Sequence, residues 1–112
     1  MNMRRYERVP FFCKVGLSTP SAPGPVVTQS FDISLGGVGV ATRAAFQTGD
    51  AVVVTFFLKD HAQQEVREQV AGRVANLRAD EDGNRLGIEF LSPLRDDTHP
   101  HLMQRIENLA TC

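Results

Sequence analysis

A small antiparallel β-barrel closed by one C-terminal helix is the fold class this sequence predicts. Three observations carry it. Short apolar segments recur with turn punctuation between them, as in an all-β chain of six or seven strands. The stretch LGIEFL places Leu86, Ile88 and Phe90 on one face by a period of two. Only after Pro93 does the period change, where Leu102, Ile106 and Leu109 recur at spacings of four and three, the stripe of an amphipathic helix. With 112 residues, 42% of them hydrophobic and 22% charged, residues 1–112 have the size and apolar content of one domain with a single core.

The elements follow in order. Val9 to Leu17 reads as the first strand, and STPSAPGP after it, with three prolines and a glycine, forbids regular structure. Val26 to Leu35 and Val38 to Thr42 read as two strands flanking the pair Gly36-Gly37. QTGD at 47–50 turns the chain into the apolar run Ala51 to Leu58, whose composition predicts burial on both faces. Glu65 to about Arg78 alternates, and Asp82-Gly83-Asn84 predicts a hairpin return into LGIEFL. The terminal helix is predicted over 94–110, with Asp96, Asp97 or Thr98 as its cap and Pro100 in its first turn. There is no internal repeat and no low-complexity tract.

Composition excludes several function classes. The formal net charge is −1 and the pI about 6.3, so wholesale attraction to DNA, RNA or anionic lipid is not expected, and any bound anion must meet a local basic cluster. No stretch approaches the ~20 apolar residues of a membrane helix, and MNMRRYERVPFF lacks the apolar segment of a secretory signal. Cys13 and Cys112 lack metal-ligand spacing and read as two reduced thiols of a soluble, cytoplasmic protein. His99 and His101 flank Pro100 without a third ligand, so no metal is expected. The acid clusters Asp80-Glu81-Asp82 and Asp96-Asp97 fall in predicted loops and read as solubilising, so no catalytic residues and no enzyme activity are expected.

Two stretches stand apart. In DISLGG, residues 32–37, Asp32 and Ser34 share a strand face roughly 6.5–7 Å apart, while Phe31, Ile33 and Leu35 would turn the other way, into the core. Gly36 and Gly37 would permit positive φ and a close approach of the backbone. A carboxylate can accept two donors from the Watson–Crick edge of guanine. In RRYER, residues 4–8, Arg4, Arg5 and Arg8 crowd onto an arm just before the first strand, and guanidinium groups both fork onto phosphates and stack on purine faces.

Together these stretches resemble the PilZ family of bacterial cyclic di-GMP receptors, whose signature is RxxxR before the first strand and [D/N]xSxxG further on. Here they are Arg4-Arg5-Tyr6-Glu7-Arg8 and Asp32-Ile33-Ser34-Leu35-Gly36-Gly37, both complete and in order. FQTGDAVVVTFFL resembles the family's turn into its central strand, GNRLGIEFL its closing strand and the tail its terminal helix. The resemblance implies a PilZ-like, six-stranded antiparallel β-barrel with one C-terminal α-helix, over which residues 1–8 fold as a flexible ligand-binding arm. It implies that Arg4 and Arg8 hold phosphates and stack on or edge-bind guanine, with Arg5 as a further phosphate contact. Asp32 and Ser34 would bond a guanine edge, with Gly36 and Gly37 in the same loop and Gly37 leaving room for the base. Some members carry an aromatic on the strand corresponding to Val70 to Leu77; this chain has no Trp, its only Tyr is Tyr6, and Arg73 or Asn76 falls at that place.

The function implied is that of a receptor that binds cyclic di-GMP without transforming it, changes conformation and signals to a downstream protein partner in motility, biofilm or exopolysaccharide control. A ligand-independent interaction module on the same barrel is the second reading, opposed by the intact motifs. A nucleic-acid-binding barrel would need a basic surface and stacking aromatics, and the chain has only 7% aromatic residues.

Overall fold

The structure, a computed structural model, describes residues 7–20 and 24–108. In chain order its elements are β1 (Val9–Pro10), β2 (Lys14–Ser18), β3 (Val26–Ser34), β4 (Gly37–Thr42), β5 (Ala51–Lys59), β6 (Glu65–Asp80), β7 (Gly83–Phe90) and α1 (Pro100–Glu107). Strands β3, β2, β5, β6, β7 and β4 pair in that sequence, all antiparallel, and β4 pairs back onto β3. Six strands thus close a barrel with no free edge.

The segment expected to be one strand from Val9 to Leu17 is two. β1 lies on β3 beyond the end of β2, with Val9 opposite Ile33 and Pro10 opposite Asp32. Pro10 has no N–H to continue a ladder. Ser30 bridges the gap that follows: its buried hydroxyl donates to the Phe11 carbonyl (2.6 Å) and accepts from the Cys13 N–H (3.0 Å).

The core is the inward-facing set: Val15, Leu17, Ile33, Val38, Val40, Val54, Phe56, Leu58, Val74, Leu86 and Ile88 are all buried. Phe11 packs its ring against Phe56 at 6.1 Å between centroids. Burying each such side chain stabilises the fold by roughly 1.5–3 kcal/mol. β5 is not buried on both faces as its composition predicted. Val52, Val54, Phe56 and Leu58 point inward, whereas Val53 is 37% exposed, because the barrel covers only one side of the strand. The QTGD turn forms with Gly49 at φ +97°, and the hairpin return from β6 to β7 has Gly83 at φ +134°, both conformations that suit glycine.

Helix α1 is confined to Pro100–Glu107, shorter than the expected 94–110. Pro100 does occupy the first turn, but none of Asp96, Asp97 or Thr98 caps the helix; the N-cap is His99, whose side chain makes no capping bond. Asp97 pairs instead with Arg95 (2.8 Å). The cap comes from the barrel: Glu68 on β6 accepts the N–H groups of His101 and Leu102, both at 2.9 Å. His99 adds a contact of 2.7 Å between its Nε2 and the Gln69 carbonyl. Leu102, fully buried, is pressed into the core by this clamp. Leu109 lies outside the described residues. No helix among the described residues is long and apolar enough to cross a membrane.

Candidate ligand-binding site

The pairing of β1 with β3 decides where the arm begins. Because Val9 sits opposite Ile33, Arg8 emerges beside the Asp32 end of β3, and its Nη1 donates to Asp32 Oδ1 at 2.8 Å. The two stretches singled out in the sequence therefore meet. The pair is partly exposed, with side-chain accessibilities of 45% for Arg8 and 27% for Asp32. An ion pair in that setting contributes ~0–1 kcal/mol and is easily exchanged for another partner. Arg4 and Arg5 lie outside the described residues.

Simple alternation fails within β3. The register against β4 shifts between Ser30 and Asp32, leaving Phe31 as an extra residue of a β-bulge. Phe31 is consequently not in the core, where period-two counting places it; it is half-buried at the surface, beside Asp32. A second shift, between Val74 and Asn76 on β6, puts Asn76 opposite Gly87.

The bulges align a row across four strands. Asp32 faces Gly39, Gly39 faces Gly87, and Gly87 faces Asn76. The two middle positions have no side chain, and the flanking groups use that space. A Cβ on Gly39 would lie 2.5 Å from Asp32 Oδ1 and 2.6 Å from the Phe31 ring. A Cβ on Gly87 would lie 2.6 Å from the Asn76 amide. Over this floor run two adjoining clefts, of about 440 Å³ and about 470 Å³, that share Arg8, Asn76 and Gly87. The first is walled by Phe31, Asp32, Arg78 and Arg85, the second by Ser34, Gly36 and Glu89. Volumes of that order suit a nucleotide-sized ligand.

The remaining expected residues divide. Ser34 is not presented outward: it is buried, its hydroxyl accepting the Gly36 N–H (3.2 Å) and facing the Gly37 carbonyl at 3.5 Å, so it fastens the β3–β4 turn while lining the second cleft. Neither Gly36 nor Gly37 adopts a positive φ. Gly37 is required by close approach, since a Cβ there would lie 2.5 Å from the Ile88 carbonyl and 3.4 Å from Arg8 Nη2. Of the two residues at the place of the family's aromatic, Asn76 lines both clefts and Arg73, opposite Glu89, lines neither. Phe31, Gly39, Arg78, Arg85 and Gly87 were not singled out from the sequence. They reach the site through bulges and long-range register, for which no local signal exists.

The family model for the PilZ domain matches residues 2–109. The chain belongs to the PilZ domain family. Solved structures similar to this PilZ domain bear out the six-stranded barrel. That of the Bacillus subtilis inhibitor of motility MotI/DgrA aligns with a TM-score of 0.74 at 19% identity, over 96% of this chain and 52% of that one, so the chain spans about half its length. The PilZ domain of YcgR from Escherichia coli, solved with c-di-GMP, aligns with a TM-score of 0.68 at 17% identity over 96% and 92% of the two chains. The PilZ domain of CeSA from a cellulose-synthesizing bacterium gives 0.62 at 16%, over 92% and 97%. No curated protein sequence matches. Family membership places the chain among receptor modules and not among enzymes.

Proposed function

We propose that this PilZ domain is a cyclic di-GMP receptor in a bacterial cytoplasm, whose N-terminal arm and β3–β4 hairpin close on the dinucleotide and pass the change to a protein partner. The observation that carries the reading is the Arg8–Asp32 pair at the rim of the clefts. Both partners are the groups a guanine nucleotide needs, and in the pair each occupies the other. A ligand phosphate takes the guanidinium in charge-assisted bonds of about 1.5–3 kcal/mol each, far more than the exposed pair contributes. Asp32 is then released to accept N1–H and N2–H of guanine, donors that adenine lacks.

The other motif residues take supporting roles. Arg4 and Arg5, from the same arm, would join Arg8 on the phosphates. Ser34, Gly36 and Gly37 would keep the hairpin's turn close and narrow so that the base approaches the backbone. An arm whose Arg8 exchanges a weak ion pair for a dianionic ligand is a switch. The similarity to an inhibitor of motility and to a domain from a cellulose-synthesizing bacterium supports motility or exopolysaccharide output as the process served. A ligand-independent interaction module is the reading to be displaced.

Titration calorimetry separates the two. The parent chain binds cyclic di-GMP with a salt-dependent affinity and binds cyclic di-AMP far more weakly. Arg8→Ala and Asp32→Ala each lose about tenfold or more, the equivalent of one charge-assisted bond. Heat-silent titration of a folded parent would leave the interaction module standing.

A further inference from the structure

Arg85 belongs to neither motif, yet it lines the first cleft and is held there by two contacts. Its guanidinium carbon sits 5.1 Å from the centroid of the Phe31 ring, and its Nε donates to Asp80 Oδ2 at 3.1 Å. The ring itself is displaced from the core by the β3 bulge and occupies the space over Gly39. The guanidinium of Arg85 is thus held over an aromatic ring and by a carboxylate, while 49% of the side chain remains exposed. Directly opposite on β6 stands Arg78. Like charges facing one another across strands are unfavourable, and here they line a cleft with Arg8, three cations offset by two carboxylates, Asp32 on Arg8 and Asp80 on Arg85.

We propose that Arg85, backed by Phe31, is a stacking shelf for a purine of the bound cyclic dinucleotide, with Arg78 adding positive charge beside it. This rests on the cyclic di-GMP reading above and extends it to three residues outside the motifs. A guanidinium fixed in one plane stacks on a base without choosing among bases. A dianionic ligand also relieves the repulsion between Arg78 and Arg85. The shelf supplies a flat surface in a chain whose strand 70–77 lacks Trp, Tyr and Phe.

The test is calorimetric titration of cyclic di-GMP into the parent, Arg85→Lys and Phe31→Leu at two salt concentrations, with thermal melts of each. Lysine keeps the charge and loses the plane, so Arg85→Lys is expected to weaken binding about tenfold while the dependence on salt stays that of the parent. Phe31→Leu weakens binding to a similar extent, and the double variant loses no more than the worse single one, because ring and guanidinium act as one unit. Should Phe31→Leu fail to fold, Arg85→Lys decides alone. A parent that binds and an Arg85→Lys that binds within twofold of it overturn the shelf and leave the receptor reading intact; a folded parent that does not bind overturns both.

Discussion

The barrel's two outward faces share one strand geometry and differ in what stands on it. On the face made by β2, β5 and β6, the outer positions are filled: Phe57 lies opposite Arg67, whose guanidinium carbon is 4.9 Å from its ring centroid, and Lys14 Nζ approaches the same ring to 5.1 Å. On the face made by β3, β4, β7 and β6, the two central positions are Gly39 and Gly87, and charged groups stand around the gap. Glycine in a strand interior costs roughly 0.5–1 kcal/mol relative to alanine. Two of them side by side make room for the Asp32, Phe31 and Asn76 side chains, and under the proposed function this gap, with Arg8, Asp32 and Arg85 around it, is the working face.

Gly16 sharpens the contrast, because it lies on the filled face and a Cβ there would meet nothing nearer than 3.6 Å. The largest effect we expect separates it from its counterparts. Gly39→Ala displaces Asp32 and Phe31 and lowers cyclic di-GMP affinity by about 10–100-fold, the equivalent of a lost bond to a charged group. Gly87→Ala acts likewise through Asn76, and Gly16→Ala binds as the parent does. All three remain folded, since the atoms met at Gly39 and Gly87 are side-chain ends that can swing aside. Equal losses at Gly16 and Gly39, measured by calorimetry, would break the comparison.

An effect on stability in place of binding belongs to the helix cap, whose Glu68 lines neither cleft. Glu68→Ala leaves the N–H groups of His101 and Leu102 without their acceptor and is expected to destabilise the domain by about 1–3 kcal/mol in denaturant unfolding, with ligand affinity unchanged once the fold is populated.

The smallest concerns Asp80. The backbone N–H of Asp82, and after it the side chain of Arg85, hold its carboxyl below the ordinary value of 3.8. A carboxyl depressed on folding contributes stability that is present above the unfolded value and lost as pH falls through the folded one. Carbon-detected NMR titration should therefore find the Asp80 midpoint below 3.8, rising towards it in Arg85→Gln.

Much of this was legible in the sequence where chemistry and spacing are local. Arg8, Asp32, the turn at Gly83 and the inward set Leu86, Ile88 and Phe90 all stand where residue type and period put them. What could not be read depends on register. The extra residue at Phe31 has no glycine or proline to announce it, and it exchanges a core position for a cleft wall. Asn76 and Arg85 join Asp32 only because four strands align. The helix cap was sought among neighbours, Asp96 to Thr98, and is supplied by Glu68, more than thirty residues away in the chain.

The central claim is that the dinucleotide takes the place each member of the Arg8–Asp32 pair holds for the other. A crystal structure of the chain with cyclic di-GMP tests it most directly. We expect Asp32 on the Watson–Crick edge of a guanine and Arg8 withdrawn from it onto the ligand. A complex in which the 2.8 Å pair persists, with the nucleotide bound elsewhere on the barrel, would contradict the account.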